Sequence, residues 1–264
     1  MSNQEALFNR IDDLIKAVNQ FKNEDDFTTE FTNRKNKNVI EFKDSSEELR
    51  NLANLIVYSQ NSNSKLVEQV IASGNLDTAF ANFDMDKVTE LNPCDIADNH
   101  WNAIKGIRQQ AKLFHIVSLA RKIKSLGSLS NVINQVGIPN QVMSQSDIEE
   151  FWVAFNRLQK EMKRSKIPFF QSTTSLLHLL MDWGYDCVKP DLVVLNISKQ
   201  LEIIESTKGE QNFRRTVRVV QEYSVDRKIR PSVIDFYFLI AGGQMAAKKF
   251  VIPEFYQNYQ LAKF

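Results

Sequence analysis

Glycine is scarce in this 264-residue chain, at 8 residues, and proline scarcer still, at 6. All-β and Rossmann-type folds spend more glycine on turns, so the shortage favours helices. Two cysteines, Cys94 and Cys187, cannot make a disulfide framework, and an iron–sulfur cluster takes four. With 3 histidines the usual four-ligand zinc site is not expected. Both thiols read as buried and free in a reducing compartment. No apolar run reaches the ~20 residues that span a bilayer. The N-terminal segment MSNQEALFNRIDDLIKAVNQF carries acids early and has no apolar signal core. Neither charge dominates: 33 basic against 32 acidic residues leave a net charge of +1. Nucleic acid would therefore be bound only if the basic side chains cluster. These absences lead us to expect a soluble, monomeric protein without metal or cofactor, cytoplasmic, or nucleoid-associated if bacterial.

What is present is ordinary globular material, 43% hydrophobic and 25% charged. Leu7, Ile11, Leu14, Ile15 and Val18 recur at helical spacing and predict a helix over 6–21. The polar stretch 22–38 reads as a loop or connector. Ser45, Ser46, Glu47 and Glu48 look like a helix start before an apolar run. Further helices are expected around Leu66–Ile71, 86–91, 111–124, 148–162, 174–181, 191–201, 213–223 and 231–240. Val193–Val194 and Val217–Val220 are β-branched, but their flanks keep helical spacing and lack hairpin pairs such as Asn-Gly. The expectation is an all-α fold of about ten short helices.

The segment Ile167–Leu201 carries the chemistry. It reads as a short helix, a hairpin, a second short helix, a linker, and Pro190-Asp191 opening a third helix. Here the chain resembles the helix-hairpin-helix superfamily of DNA glycosylases, which includes endonuclease III and the alkyl-purine glycosylases. That family's hairpin runs Leu-Pro-Gly-Ile-Gly-x-x-Thr-Ala. Ile167, Pro168, Phe170, Thr174 and Ser175 stand at its Leu, Pro, Ile, Thr and Ala, while Phe169 and Gln171 replace its two glycines. Other pieces follow in the family's order. Leu55 to Asn61 is similar to its apolar helix ending in Ser-Gln-Gln. Ile104 to Lys112 is similar to its Gly-Ile-x-x-x-Lys-Ala turn, and Asp235 to Gly243 to its late helix and glycine. The resemblance implies a two-lobed helical fold. Residues 1–45 would be a helix and connector packed on the C-terminal lobe, 46–188 a lobe ending in the hairpin, and 189–264 a lobe carrying the catalytic acid.

It also implies a function. Breaking the bond between a sugar and its base builds positive charge on the sugar, and a fixed carboxylate stabilises that charge. Asp191 matches the family's catalytic Asp, although Pro-Asp is also an ordinary helix start. Members with lyase activity carry a lysine just before the hairpin's Thr. Here that residue is Thr173, so a monofunctional glycosylase is expected, with Lys166 and Lys189 as poorly placed substitutes. The partner would be double-stranded DNA with one base flipped out. Gln60 and Asn61 would plug the gap, or simply cap their helix. Trp183, Tyr185 and Tyr58 would line the base pocket. Lys163, Arg164, Lys166, Phe170, Gln171, Ser172 and Thr174 would bind the DNA backbone. Lys160 and the C-terminal set Lys208, Arg214, Arg215, Arg218, Arg227, Lys228 and Arg230 would extend that surface, or form a solvated face. Asp182 and Asp186 would hydrogen-bond a base edge or be loop acids. The zinc clasp of 3-methyladenine DNA glycosylase I has no counterpart here, which leaves the base open among alkylated purines and modified bases in foreign DNA. The alternatives are a non-catalytic DNA-binding or protein-interaction module on the same scaffold, and an unrelated helical bundle.

Overall fold

A computed structural model describes residues 3–60 and 62–258. Among them the chain is all-α, and β pairing is limited to an isolated bridge between Lys22 and Val251. The chain opens with α1 (Asn3–Gln20) and α2 (Glu24–Lys35). Next come α3 (Ser45–Tyr58), α4 (Ser64–Ala72), α5 (Asn75–Ala79), α6 (Met85–Glu90) and α7 (Pro93–Ile104). These are followed by α8 (Ala111–Leu126), α9 (Leu129–Val136), α10 (Gln145–Arg164) and α11 (Thr173–Asp182). The chain continues with α12 (Leu192–Gln200), α13 (Glu210–Arg227), α14 (Pro231–Ala241) and α15 (Glu254–Asn258).

Side-chain caps set many of these starts. Asp44 accepts from the amides of Ser46 and Glu47 to open α3. Asn63, Asp84, Asn92, Ser128, Ser172 and Asp191 do the same for α4, α6, α7, α9, α11 and α12. The helices predicted by range all form, with ends shifted by a few residues, but the hairpin follows the long α10 rather than a short helix from Ile167, and α2, α5, α7, α9 and α15 form where none was expected.

The polar stretch 22–38, expected as a connector, is instead the helix α2. Its apolar content is two phenylalanines four residues apart, Phe27 and Phe31, which face the same side. Phe27 packs on Phe236 at 5.2 Å and Tyr237 at 5.8 Å between ring centroids. Acids Glu24, Asp25 and Asp26 in its first turn, and Arg34 and Lys35 in its last, suit the helix dipole.

The chain forms two compact units. Unit 1 gathers the chain up to Ile40, Pro139–Val153, and the chain from Ser172 on. Unit 2 gathers Glu41–Ile138 and Ala154–Gln171. The N-terminal α1 and α2 both pack on α14, in unit 1. The sequence-expected lobe 46–188 therefore spans parts of both units, and residues 172–188 cluster with the C-terminal helices.

In unit 1, α14 is the axis, and α1, α2, α12 and α13 pack against it. It is buried almost all round, including Ile234, Phe236, Phe238 and Ile240. Burying each such side chain contributes about 2–3 kcal/mol. Gly242, just past α14, lets α12 approach. A Cβ there would collide with the Val193 side chain and sit 3.1 Å from the Phe238 carbonyl oxygen. In unit 2, α8 plays the central part, packed against α3, α6 and α7 with Leu113, Ile116, Val117, Ala120 and Ile123 buried.

Candidate functional site

The site of interest in unit 1 begins where α11 ends. Gly184 turns the chain with φ +96°, and a Cβ there would collide with the Asn38 carbonyl, so only glycine fits. Asp186 then anchors the linker. Its carboxylate accepts from Arg230 at 2.6 Å and from the Val142 amide at 3.0 Å. Burial pushes the Asp186 carboxyl pKa up, opposed by the Val142 amide and by Arg230. Lys189 and Pro190 lead to Asp191, which caps α12 in extended conformation. One Asp191 oxygen accepts from the Val194 amide at 3.1 Å. The other lies 3.9 Å from Lys189 Nζ, and the side chain is 25% exposed. Asp191 is thus neither buried in the core nor closed off by a tight ion pair.

A charged cluster adjoins it through Lys189 and Asp235. Asp235 of α14 is buried and bonds Arg34 of α2 at 3.0 Å. Arg34 also holds Glu30 at 2.6 Å and donates to the Ser232 carbonyl. Burial pushes the Asp235 carboxyl up to about 6, opposed by Arg34 and reinforced by the nearby charge of Asp191. His178 is pushed down to about 3 by burial and by Lys189 and Lys37, so it is neutral. Asp182 is raised by burial while Lys37, 3.8 Å away, opposes the rise. Arg34, Lys37, Asp182 and Ser232 line a cavity of ≈430 Å³, whose wall does not include Asp191. The arrangement offers a fixed, partly open carboxylate, Asp191, beside a second, buried one, Asp235.

The other sequence-selected residues fall as follows. Trp183 and Tyr185 are 1% and 3% exposed, so neither ring has a face open to a base; they serve the core. Tyr58 is 38% exposed at the end of α3 in unit 2. Gln60 follows with φ 56°, and its exposed side chain makes no hydrogen bond among the described residues, while Ser59 is the C-cap. Asn61 lies outside the described residues.

In the hairpin, Phe169 has φ 69°, the left-handed conformation that glycine would take at that position. Phe170 is fully buried and its amide donates to the Pro168 carbonyl at 2.8 Å, so that N–H is already used. Gln171 closes the turn with a 2.8 Å bond from its side-chain amide to the Ile167 carbonyl. Ser172 caps α11, Thr174 is half-buried in its first turn, and Thr173 is buried. Lys163, Arg164 and Lys166 are exposed. Arg164 pairs with Glu161 at 2.9 Å, while Lys163 and Lys166 have no ion pair among the described residues.

The expected C-terminal basic surface is largely neutralised. Arg214 pairs with Glu210, Arg218 with Glu149 and Glu222, Arg227 with Asp12, Glu5 and Asp226, and Arg230 with Asp186. The acids are one helical turn away or adjacent, on other helices, or, for Asp186, in the linker after α11. Over the whole chain the acids nearly match the bases, 32 against 33, but their partners were set by packing. Of the two thiols expected to be buried, Cys187 is buried and Cys94 is exposed on α7.

Sequence reasoning missed Arg34, Lys37 and Asp235. Asp235 did leave a signal, one acid inside an apolar helix; Arg34 and Lys37 left none. It also missed how Lys112 is used. In unit 2 its ammonium is fully buried and donates to the carbonyls of Val57, Ser59 and Ile107 and to the Ser62 hydroxyl, at 2.6–3.0 Å. These bonds hold the turn that carries Gln60. Among the described residues no group of three or more His, Cys, Asp or Glu side chains is placed to hold a metal, and no helix is long and apolar enough to cross a membrane. No family model, curated protein or solved structure matches the chain.

Proposed function

We propose that the protein is a monofunctional DNA glycosylase that hydrolyses the bond between a sugar and a modified base, with Asp191 as the catalytic carboxylate. The observation that carries this reading is the state of Asp191. One oxygen is fixed by the Val194 amide at the entrance of α12, and the other is left partly open with Lys189 no closer than 3.9 Å. A carboxylate so fixed needs no reorganisation when a cation develops beside it, and such contacts are worth roughly 3–4 kcal/mol in other enzymes. The ordered resemblance to helix-hairpin-helix glycosylases supports the same residue. So does the hairpin backbone, which keeps a left-handed residue at Phe169 although the glycine is gone. Thr173 at the position of the lyase lysine supports hydrolysis without strand cleavage. The exposed Lys163 and Lys166 would contribute salt-sensitive DNA affinity.

The test is incubation with duplexes bearing alkylated purines or other modified bases, followed by hot alkali to reveal abasic sites. Asp191→Asn should cut base release at least about 100-fold. Asparagine caps a helix as well as aspartate, so stability should change by less than about 0.5 kcal/mol. Strand breaks without alkali would contradict the absence of lyase activity. One observation favours a second reading, a non-catalytic DNA-binding module: Trp183 and Tyr185 are closed off from any base. DNA binding without release of any base would select that reading.

A further inference from the structure

We propose that a second cavity of unit 1, between the end of α2, the segment 141–143 and the turn from α13 to α14, binds a flat heteroaromatic anion of the nucleoside-monophosphate class. Its volume is ≈570 Å³, within the range of small-molecule sites. It shares no lining residue with the ≈430 Å³ cavity, the Asp186–Arg230 anchor of the linker forms part of its wall, and the proposal does not depend on the glycosylase reading.

Three features define the ligand. The first is apolar walls of Phe31, Val142 and Val233, suited to the faces of a ring. The second is an unmet hydrogen bond. Ser224 of α13 lines the cavity, is 4% exposed, and its hydroxyl has no partner among the described residues. A helical serine commonly satisfies itself on the carbonyl four residues back, as Ser198 does with Val194 at 2.8 Å. Ser224 does not, and its own carbonyl is already taken by the amides of Lys228 and Ile229. The oxygen itself is closed to solvent, so a bound polar atom recovers the bond once the Ser224 side chain turns about χ1 toward the cavity.

The third feature is charge. Asp186 and Arg230, also in the lining, neutralise each other at 2.6 Å. That leaves Lys35 and Lys228 at the rim, exposed and without an ion pair among the described residues. Both stand at helix C-termini, where they offset carbonyl dipoles; α2 and α13 already carry Arg34 and Arg227 there, paired with acids. Lys228 is held at φ 55°, a left-handed position usually given to glycine or asparagine, which fixes where its side chain leaves the backbone. Two ammonium groups over an apolar slot select a phosphate attached to a ring. The side-chain amides of Asn36 and Gln141, at the same mouth, offer both donors and acceptors to a heteroaromatic edge.

Calorimetric titration of the full chain with 2′-deoxyadenosine 5′-monophosphate, adenosine and inorganic phosphate tests this. The expected result is saturable 1:1 binding of the nucleotide that weakens with salt, at least tenfold tighter than adenosine, with no binding of phosphate alone. Charge reversal at the exposed rim, Lys35→Glu with Lys228→Glu, should weaken the nucleotide at least tenfold with the melting temperature little changed. Ser224→Ala should weaken it about threefold or more. Asp191→Asn should leave the affinity unchanged. The proposal is overturned if the nucleotide fails to saturate at millimolar concentration, or if it binds equally to the rim variant. Loss of binding in Asp191→Asn also overturns it, because the ligand would then sit at the other site. So does a Ser224→Ala variant that gains stability at unchanged affinity, since the hydroxyl would be a packing defect.

Discussion

Replacing Asp235 with asparagine should change how stability depends on pH. The carboxyl is buried on α14 and held at about 6, against an ordinary 3.8. A carboxyl raised in this way is disfavoured in its ionised folded form, by about 3 kcal/mol at one pKa unit per 1.36 kcal/mol. The sign follows from proton binding. Between pH 4 and 6 the folded state holds a proton that the unfolded state has released, so folding is favoured as the pH falls. The cost is fully present above pH 6 and is relieved on acidification. The asparagine side chain cannot titrate, so the wild type should gain about 2 kcal/mol on the variant between pH 7.5 and 4.5. Groups with lowered pKa, such as Asp84, Asp147 and His178, make both proteins less stable in acid and cancel in the difference. The assay is urea unfolding followed by tryptophan fluorescence. Trp101 is replaced by Phe in both proteins, leaving Trp152 and Trp183, which report on unit 1. A stability difference that stays flat within about 0.5 kcal/mol over that range, or runs the other way, would refute the reasoning.

Three other changes have expected outcomes. Lys112→Met removes the buried donor to the carbonyls of Val57, Ser59 and Ile107, of which Ile107 keeps the Gln109 amide, and should cost about 2–3 kcal/mol in chemical denaturation. Burial, with the Arg108 charge, pushes Lys112 down to about 8 from 10.5, so wild-type stability should rise from pH 8 toward 10.5 and the variant should lose that rise. Gly242→Ala forces a Cβ into Val193 and should cost about 1–3 kcal/mol, partly restored by Val193→Ala in a double-mutant cycle. Phe27→Ala removes the buried anchor of α2 and should cost about 3–5 kcal/mol, with amide exchange in α2 rising first; unchanged exchange there would argue against the aromatic anchoring.

Helical periodicity was legible because one apolar stripe per helix is written directly into the order of residues. The stripe on α8 and the Pro-Asp start of α12 were read at their correct places for that reason. The helix α2 was not, because two phenylalanines among ten polar residues give no stripe; its stability comes from Phe236 and Tyr237 on another helix. Trp183 and Tyr185 stand close to Asp191 in sequence, yet the Gly184 turn sends them into the core. The basic residues of α13 could be counted but not paired from sequence, since Arg218 finds Glu149 and Arg227 finds Asp12 across large separations.

The order of residues by itself determined the helical class, the starts of α3, α8, α12 and α14, and the capping role of Asp191, because each depends on neighbours within a turn or two. Tertiary structure alone decided that Arg34 reaches Asp235, that Lys112 is buried among carbonyls, and that Ser224 is left without a partner. Those outcomes turn on desolvation and on distances between residues far apart in the chain, which local spacing does not encode.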